Sequence, residues 1–136
     1  MPQTFFVTGR ISDRRNSYAQ ARKELLCIDD EPKGLALRKT FLEFAGYAVL
    51  IAASGREGVK LAASHLFDGV VLDYNMPETN GGMVATAIKK IRHRLPIIML
   101  SGAVSVPKKM LKSVDGFIGQ GESPALLLRK IQELLA

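Results

Sequence analysis

The sequence predicts an α/β fold in which five parallel strands form one doubly wound sheet with helices on both faces. From residue 25 onward, short apolar runs alternate with helix-length segments along the 136-residue chain. The runs are apolar at consecutive positions, which is typical of parallel strands that are covered on both faces. The segments between them repeat apolar residues every three or four positions, as amphipathic helices do. We therefore expect five βα units in a single domain.

The strands are predicted at the apolar runs, and the first helix has clear boundary signals. The runs are LLCI, YAVLIA, GVVL, PIIML and GFI, at residues 25–28, 47–52, 69–72, 96–100 and 116–118. The first helix should have Pro32 at its first position and should end before Gly46. Its predicted apolar stripe consists of Leu37, Phe41 and Phe44.

The later helices have boundary signals and apolar stripes of their own. Ser54 with Glu57 fits a capping box, and Ser123 followed by Pro124 fits an N-cap with proline at the first helical position. The third and last helices are expected to bury Val84, Ala87, Ile88 and Ile91, and Leu127, Leu128, Ile131, Leu134 and Leu135. Between strands four and five, residues 101–116 leave room for only a short fourth helix.

The positive charge of the chain lies mainly in its N-terminal segment. The formal net charge is +6, and residues 1–23 hold five basic residues against one acidic residue, a net charge of +4. We expect residues 1–23 to form a mobile basic extension and residues 24–136 to form the folded domain. The folded part is nearly balanced in charge and has no zinc-finger spacing, so nucleic acid is not an expected partner.

The sequence has the features of a cytoplasmic protein. No segment approaches the roughly 20 consecutive apolar residues of a membrane-spanning helix, and the N-terminus lacks the apolar region of a secretory signal. The single cysteine, Cys27, has no second cysteine with which to form an intramolecular disulfide. Its apolar neighbours predict a small buried residue of the first strand. We therefore expect a cytoplasmic location and no membrane partner.

Three carboxylates follow neighbouring strands of the predicted sheet. Asp29 and Asp30 come directly after the first strand, and Asp73 ends the third strand within FDGVVLDYNMPETNGG. Open parallel sheets carry functional residues at the carboxyl ends of their strands, so these side chains should lie together. Three carboxylates this close together repel one another, and a bound cation offsets the repulsion. Mg²⁺ prefers oxygen ligands such as carboxylates. The pattern predicts a magnesium site with Asp73 as a nucleophile beside the metal.

The motifs CIDDEP, VVLDYNMPETNGG and IIMLSGA resemble those of the receiver domain of bacterial two-component response regulators. The resemblance covers residues 25–136 and implies a flavodoxin-like (βα)5 fold with strand order 2-1-3-4-5. It also implies a phosphorelay signalling domain rather than a dedicated enzyme. A histidine kinase or a phosphotransfer protein would be its phosphoryl donor. Since the chain ends with the last helix, we expect a stand-alone domain with no output domain attached.

The resemblance implies a role for each residue of the acidic motifs. Asp73 corresponds to the phospho-acceptor, and Asp29 and Asp30 correspond to the acidic pair that holds Mg²⁺. The backbone carbonyl of Asn75 corresponds to a further metal ligand. Ser101 corresponds to the switch hydroxyl that hydrogen-bonds the incoming phosphoryl group.

Two further positions, near the fifth strand, bear on switching. Phe117 corresponds to the aromatic switch residue, although an aromatic residue in a strand is also typical of plain core packing. Gln120 stands where the family has a nearly universal lysine, and Gly121 stands where proline usually follows. Because glutamine supplies no positive charge, these departures predict a weaker response to phosphorylation with the acceptor and metal carboxylates intact.

Two other functions stay open from the sequence. One is an interaction module of the same fold with impaired or no phospho-switching, which Gln120 favours. The other is a phosphatase of the haloacid-dehalogenase type. That class needs a second aspartate two residues after the nucleophile, where this chain has Asn75.

The resemblance also implies where a downstream protein would bind. In the family, output runs through the surface formed by the fourth helix, the fifth strand and the fifth helix. On this chain that surface would carry the basic residues Lys108, Lys109, Lys112, Arg129 and Lys130.

Overall fold

The computed structural model describes residues 22–102, 106–119 and 121–136. Its strands are β1 (Glu24–Ile28), β2 (Ala48–Ala52), β3 (Gly69–Asp73), β4 (Asn75–Met76), β5 (Thr79–Asn80), β6 (Ile97–Ser101) and β7 (Gly116–Gly119). Its α-helices are α1 (Pro32–Phe44), α2 (Gly55–Ser64), α3 (Gly81–Ile91) and α4 (Pro124–Leu135). Five strands form a parallel sheet in the order β2-β1-β3-β6-β7, and β4 and β5 form a separate short hairpin. Counted within the large sheet alone, the order is 2-1-3-4-5, which confirms the predicted topology.

The sheet lies between two layers of helices, because alternate strand residues point to opposite faces. Helices α1 and α4 cover one face, where the buried residues include Cys27, Val71, Ile98, Leu35 and Ile131. Helices α2 and α3 cover the other face, where they include Ile28, Val70, Leu72, Ala62 and Ile88. Cys27 is fully buried as predicted, and burial raises the pKa of its thiol to about 12.

The predicted apolar stripe of α1 is wrong. Leu37 is 72% exposed and Phe44 is 95% exposed, whereas the buried residues are Leu35 and Leu42. The stripe through Leu35 and Leu42 is offset by two positions from a stripe through Leu37 and Phe44. The large apolar side chain of Phe44 favours the second stripe in the sequence, but it is exposed in the structure. Phe41 is partly buried and packs against the core from the edge of the true stripe.

The other elements agree with the sequence in most details. Ser54 accepts the Glu57 N–H at 3.1 Å and begins α2, although the Glu57 carboxylate accepts the N–H of Ala53 rather than that of Ser54. Ser123 precedes α4 but makes no capping hydrogen bond through its side chain. The stripe of α4 is buried or partly buried, whereas Ile91 of α3 is 41% exposed.

Two regions depart from the predicted regular fold, the edge strand β2 and the connection between β6 and β7. Leu50 and Ile51 are 42% and 39% exposed because β2 is an edge strand of the sheet. Between β6 and β7 the chain forms a short 3-10 helix, Lys108–Leu111, in agreement with the expected short helix. The predicted extension, residues 1–23, lies almost entirely outside the described residues. No helix in the part of the chain that the structure describes is long and apolar enough to cross a membrane.

Candidate functional site

The ends of β1 and β3 bring the three predicted carboxylates together. Ile28 pairs with Leu72, so the residues that follow these strands lie at the same edge of the sheet. Asp29, Asp30 and Asp73 can each offer one oxygen such that the three oxygens lie within 4.8 Å of one another. Asp29 and Asp73 are each only 4% exposed, whereas Asp30 is exposed. The cluster is therefore partly buried and open to solvent on the side of Asp30.

The carboxylate of Asp29 is held by two groups of the first βα unit. Its Oδ1 accepts the N–H of Glu31 at 3.0 Å, and its Oδ2 lies 3.3 Å from Nη1 of Arg38. The side chain of Glu31 in turn accepts the N–H of Gly34 at 2.8 Å and caps α1. The start of α1 therefore fixes the orientation of Asp29.

Burial makes the negative charge of Asp73 unfavourable. Burial is the largest cause and the neighbouring charge of Asp29 the next, and together with the other nearby groups they raise the pKa of this carboxyl from an ordinary 3.8 to about 7. Arg38 acts in the opposite direction and lowers the pKa. A divalent cation would relieve the same repulsion, and the donor set of carboxylate oxygens fits Mg²⁺. The residues present thus match the ion that the sequence predicts.

A tight hairpin follows Asp73 and positions Asn75 beside the cluster. Asn75 pairs with Asn80, and the turn between them places Glu78 at a φ of 69°, in the left-handed region. Gly81 begins α3 directly against the end of β3. A Cβ at Gly81 would lie 2.8 Å from the carbonyl oxygen of Asp73, so a residue without a side chain is required there.

The cluster lies in a cavity of about 770 Å³ that extends between α1 and the start of α4. Its polar part includes the three carboxylates, Asn75 and Arg38. Its apolar part includes Leu37, Phe41, Leu100, Ile118 and Leu127. The cavity is large enough for a phosphoryl group and a side chain of a phosphoryl donor.

The other three predicted site residues, Ser101, Phe117 and Gln120, differ from one another in their positions. Ser101 is buried at the end of β6, one residue beyond Leu100, which pairs with Asp73. Phe117 lies in β7 and is 42% exposed, so it is not the plain core residue that its strand position suggested. Gln120 lies outside the described residues, and its predicted role stays a prediction.

Arg38 is the site residue that sequence reasoning missed. It lies three residues after Leu35 and four before Leu42, on the core-facing side of α1. A cation within an apolar stripe requires a nearby anion, so this position could have been found from the sequence. The predicted stripe of Leu37, Phe41 and Phe44 concealed it, because Arg38 lies at the edge of that stripe and not within it.

Curated proteins with similar sequences are response or transcriptional regulators. The probable transcriptional regulator ycf27 of Cyanidium caldarium is 32% identical over 93% of this chain and 50% of its own length. The response regulator SaeR of Staphylococcus aureus is 30% identical over 82% of this chain and 50% of its own length. This chain therefore spans about half the length of these curated relatives.

Several solved structures with a similar fold are response regulator receiver domains. A CheY-like response regulator receiver domain protein of Methanospirillum hungatei JF-1 has a TM-score of 0.81 and 31% identity, over 85% of this chain and 94% of that chain. TrrA of Thermotoga maritima, in complex with Mg²⁺-BeF, has a TM-score of 0.79 and 31% identity, over 83% and 99%. The sequence model of the response regulator receiver domain matches residues 25–131. The chain thus belongs to the receiver domains of response regulators, which are signalling domains of two-component systems rather than dedicated enzymes.

Proposed function

We propose that this chain is a phospho-acceptor domain of a two-component phosphorelay, with Asp73 as the acceptor and Mg²⁺ as the cofactor. The observation that carries the proposal is the buried carboxylate of Asp73 at the end of β3, beside Asp29 and Asp30. The similar TrrA structure, in complex with Mg²⁺-BeF, supports it. We further propose a cytoplasmic location, where a histidine kinase or a phosphotransfer protein supplies the phosphoryl group.

The proposed reaction is a phosphoryl transfer to a carboxylate oxygen. An oxygen of Asp73 attacks the phosphorus of a phosphohistidine, an O–P bond forms, and the P–N bond breaks. The imidazole nitrogen leaves with the electron pair, and Asp73 becomes an acyl phosphate. Such a transfer depends on positioning and charge neutralisation more than on covalent machinery.

Four further groups of this chain would support the transfer. Asp29, Asp30 and the backbone carbonyl of Asn75 would hold Mg²⁺, which when bound neutralises charge on the phosphoryl oxygens. The buried hydroxyl of Ser101, which ends β6 near Asp73, would donate a hydrogen bond to the phosphoryl group. The ionised form of Asp73 would be favoured by bound Mg²⁺, so the attack needs no separate general base.

Binding of beryllofluoride, a mimic of the aspartyl phosphate, tests the proposal. We expect calorimetry to show binding to the wild type only with Mg²⁺ present, and no binding to Asp73→Asn. Asp68→Asn is the matched control, because Asp68 precedes β3, is exposed and accepts the N–H of Glu24. Binding to Asp73→Asn, or wild-type binding without Mg²⁺, would contradict the assigned acceptor and cofactor.

Weak phospho-switching is a second candidate property, and Gln120 is the observation that favours it. Without the lysine of the family, the phosphorylated state lacks a charge that would draw the end of β7 toward the acceptor. We expect beryllofluoride to cause small NMR shift changes in β7 and α4, including Phe117. Gln120→Lys should enlarge them. Equal changes in both proteins would show that the charge at this position is dispensable.

The downstream partner is proposed to bind the surface of the 3-10 helix, β7 and α4. Lys108, Lys109, Lys112 and Arg129 are exposed there, which fits an acidic patch on the partner protein. Electrostatic steering would make the association rate depend on salt. Reversing Lys108 and Lys112 to glutamate should slow association with this partner and weaken that dependence. Unchanged rates would place the interface elsewhere.

A further inference from the structure

Arg38 is a cation at a core-facing position of α1. Its side chain is only 13% exposed, and it lies on the same helical face as Leu35 and Leu42. Burying a guanidinium is costly unless it is paired, and an aliphatic residue would fill this position without that cost. Its observed partner is Asp29, at 3.3 Å from Nη1 to Oδ2. The position is therefore tied to the acidic cluster rather than to core packing.

The surroundings of the cluster make this charge unusual. Among the described residues that line the cavity, five are acidic and Arg38 alone is basic. The acidic residues are Asp29, Asp30, Glu31, Asp73 and Glu122. The neighbouring Lys39 of α1 is paired with Glu43 one helical turn away and does not line the cavity. At the end of β7 the sequence has the neutral Gln120.

We propose that Arg38 is the fixed cation of the phosphoryl site, supplied from α1. It balances the carboxylate of Asp29 in the metal-free protein and stabilises the added negative charge when Asp73 carries a phosphoryl group. The inference rests on the proposed function and adds a residue to it. Arg38 is a positioning and electrostatic residue, since its observed contact is with Asp29.

A fixed positive charge has opposite effects on the two ligands of the site. It repels Mg²⁺, which shares the carboxylate of Asp29, and it attracts the anionic beryllofluoride. Removal of the charge should therefore raise the affinity for Mg²⁺ and lower the affinity for beryllofluoride at saturating Mg²⁺. The Glu31 N–H still holds Oδ1 of Asp29 in such a variant, so the ligand stays oriented. A purely structural role of Arg38 would lower both affinities together.

The experiment compares charge-removing and charge-preserving variants by calorimetry at a pH well above 7, where Asp73 stays ionised although loss of Arg38 favours its protonation. For Arg38→Met we expect roughly a threefold to tenfold gain in Mg²⁺ affinity and about a tenfold loss in beryllofluoride affinity. Changes of this size are expected when one unit charge is removed at short range from a charged ligand. Arg38→Lys keeps the charge and should bind both ligands nearly as the wild type does. Lys39→Met removes a charge from the adjacent position and should change neither affinity. Arg38→Gln repeats the comparison with a neutral hydrogen-bond donor, should Arg38→Met fail to fold.

A second charge at the end of β7 provides a rescue experiment. Adding Gln120→Lys to Arg38→Met should restore beryllofluoride affinity, because the charge matters more than the element that supplies it. Unchanged beryllofluoride affinity in Arg38→Met, or a parallel loss of both affinities, would overturn the inference. If the wild type binds Mg²⁺ but no beryllofluoride, the proposed function fails. The gain in Mg²⁺ affinity would then still decide whether Arg38 opposes the metal.

Discussion

Substitution of Asp73 by asparagine should stabilise the metal-free protein, although Asp73 is the proposed acceptor. Asparagine has nearly the same shape but removes one of three clustered negative charges. Burial and the charge of Asp29 make the ionised form of Asp73 unfavourable in the folded state. The unfolded chain carries no such cost. The effect should therefore appear in the free energy of unfolding and should depend on pH.

The size and sign of the effect follow from the pKa of Asp73. The folded-state value of about 7 against an ordinary 3.8 corresponds to on the order of 4 kcal/mol, at 1.36 kcal/mol per pKa unit. Because the folded state binds more protons between these values, stability falls as pH rises from about 4 to about 7. Asparagine removes this cost but adds a buried amide, which costs about 1–3 kcal/mol if poorly paired. We expect a net gain of about 2 kcal/mol at pH 8.

Thermal unfolding followed by circular dichroism measures this gain. In EDTA at pH 8, Asp73→Asn should unfold roughly 8 °C above the wild type. The advantage should disappear below about pH 4, where Asp73 of the wild type is mainly protonated in both the folded and the unfolded state. Saturating Mg²⁺ should stabilise the wild type more than the variant, because the variant lacks one carboxylate ligand. Asp68→Asn should show no comparable gain at any pH. A lower midpoint for Asp73→Asn in EDTA at pH 8 would refute the reasoning and would mean that this carboxylate holds the turn.

Three further predictions concern the surroundings of the site. Gly81→Ala should destabilise the protein by about 1–3 kcal/mol in urea unfolding, because its Cβ would lie 2.8 Å from the backbone at the end of β3. Gly121→Ala is the control and should not destabilise the protein, because its Cβ would have no atom within 4 Å. Glu78→Gly should stabilise by about 0.5–1 kcal/mol, since a φ of 69° suits glycine better, and a loss of stability would show that the carboxylate has a contact of its own. Cys27 should resist iodoacetamide at pH 8 until the protein unfolds, because burial raises the pKa of its thiol to about 12; rapid alkylation of the native protein would contradict this.

The fold and the carboxylate cluster could be predicted because both depend on strong local signals. A continuous apolar run such as GVVL favours a buried strand, and this strand ends at Asp73. Parallel strands then bring Asp29 and Asp73 to the same edge without any knowledge of side-chain contacts. Topology alone therefore led to the cluster.

Features that depend on helix rotation, or on how far the helices cover an edge strand, could not be predicted in this way. The stripe of α1 was misplaced because Leu35 and Leu42 compete with Leu37 and Phe44, and apolar content does not decide between them. The predicted strand order 2-1-3-4-5 places β2 at the edge of the sheet, but the uniformly apolar run YAVLIA does not show that Ile51 is the exposed residue. The ion pair of Arg38 with Asp29 joins residues nine positions apart, and it forms only with the observed rotation of α1 about its axis.

The location of Arg38 has a consequence for how the site responds to phosphorylation. Asp29 and Arg38 belong to one βα unit, and the capped start of α1 fixes them relative to each other. A lysine at the end of β7 would reach the site from a different strand, so its attraction to a phosphoryl group would pull on that strand. A cation on α1 can stabilise the same charge without moving β7 or Phe117. On this proposal the chain can accept a phosphoryl group with normal electrostatic support and still transmit the event weakly. Affinity for beryllofluoride and the conformational response to it should therefore be separable: a cation on α1 or at position 120 supports the affinity, whereas the response of β7 requires the cation at position 120.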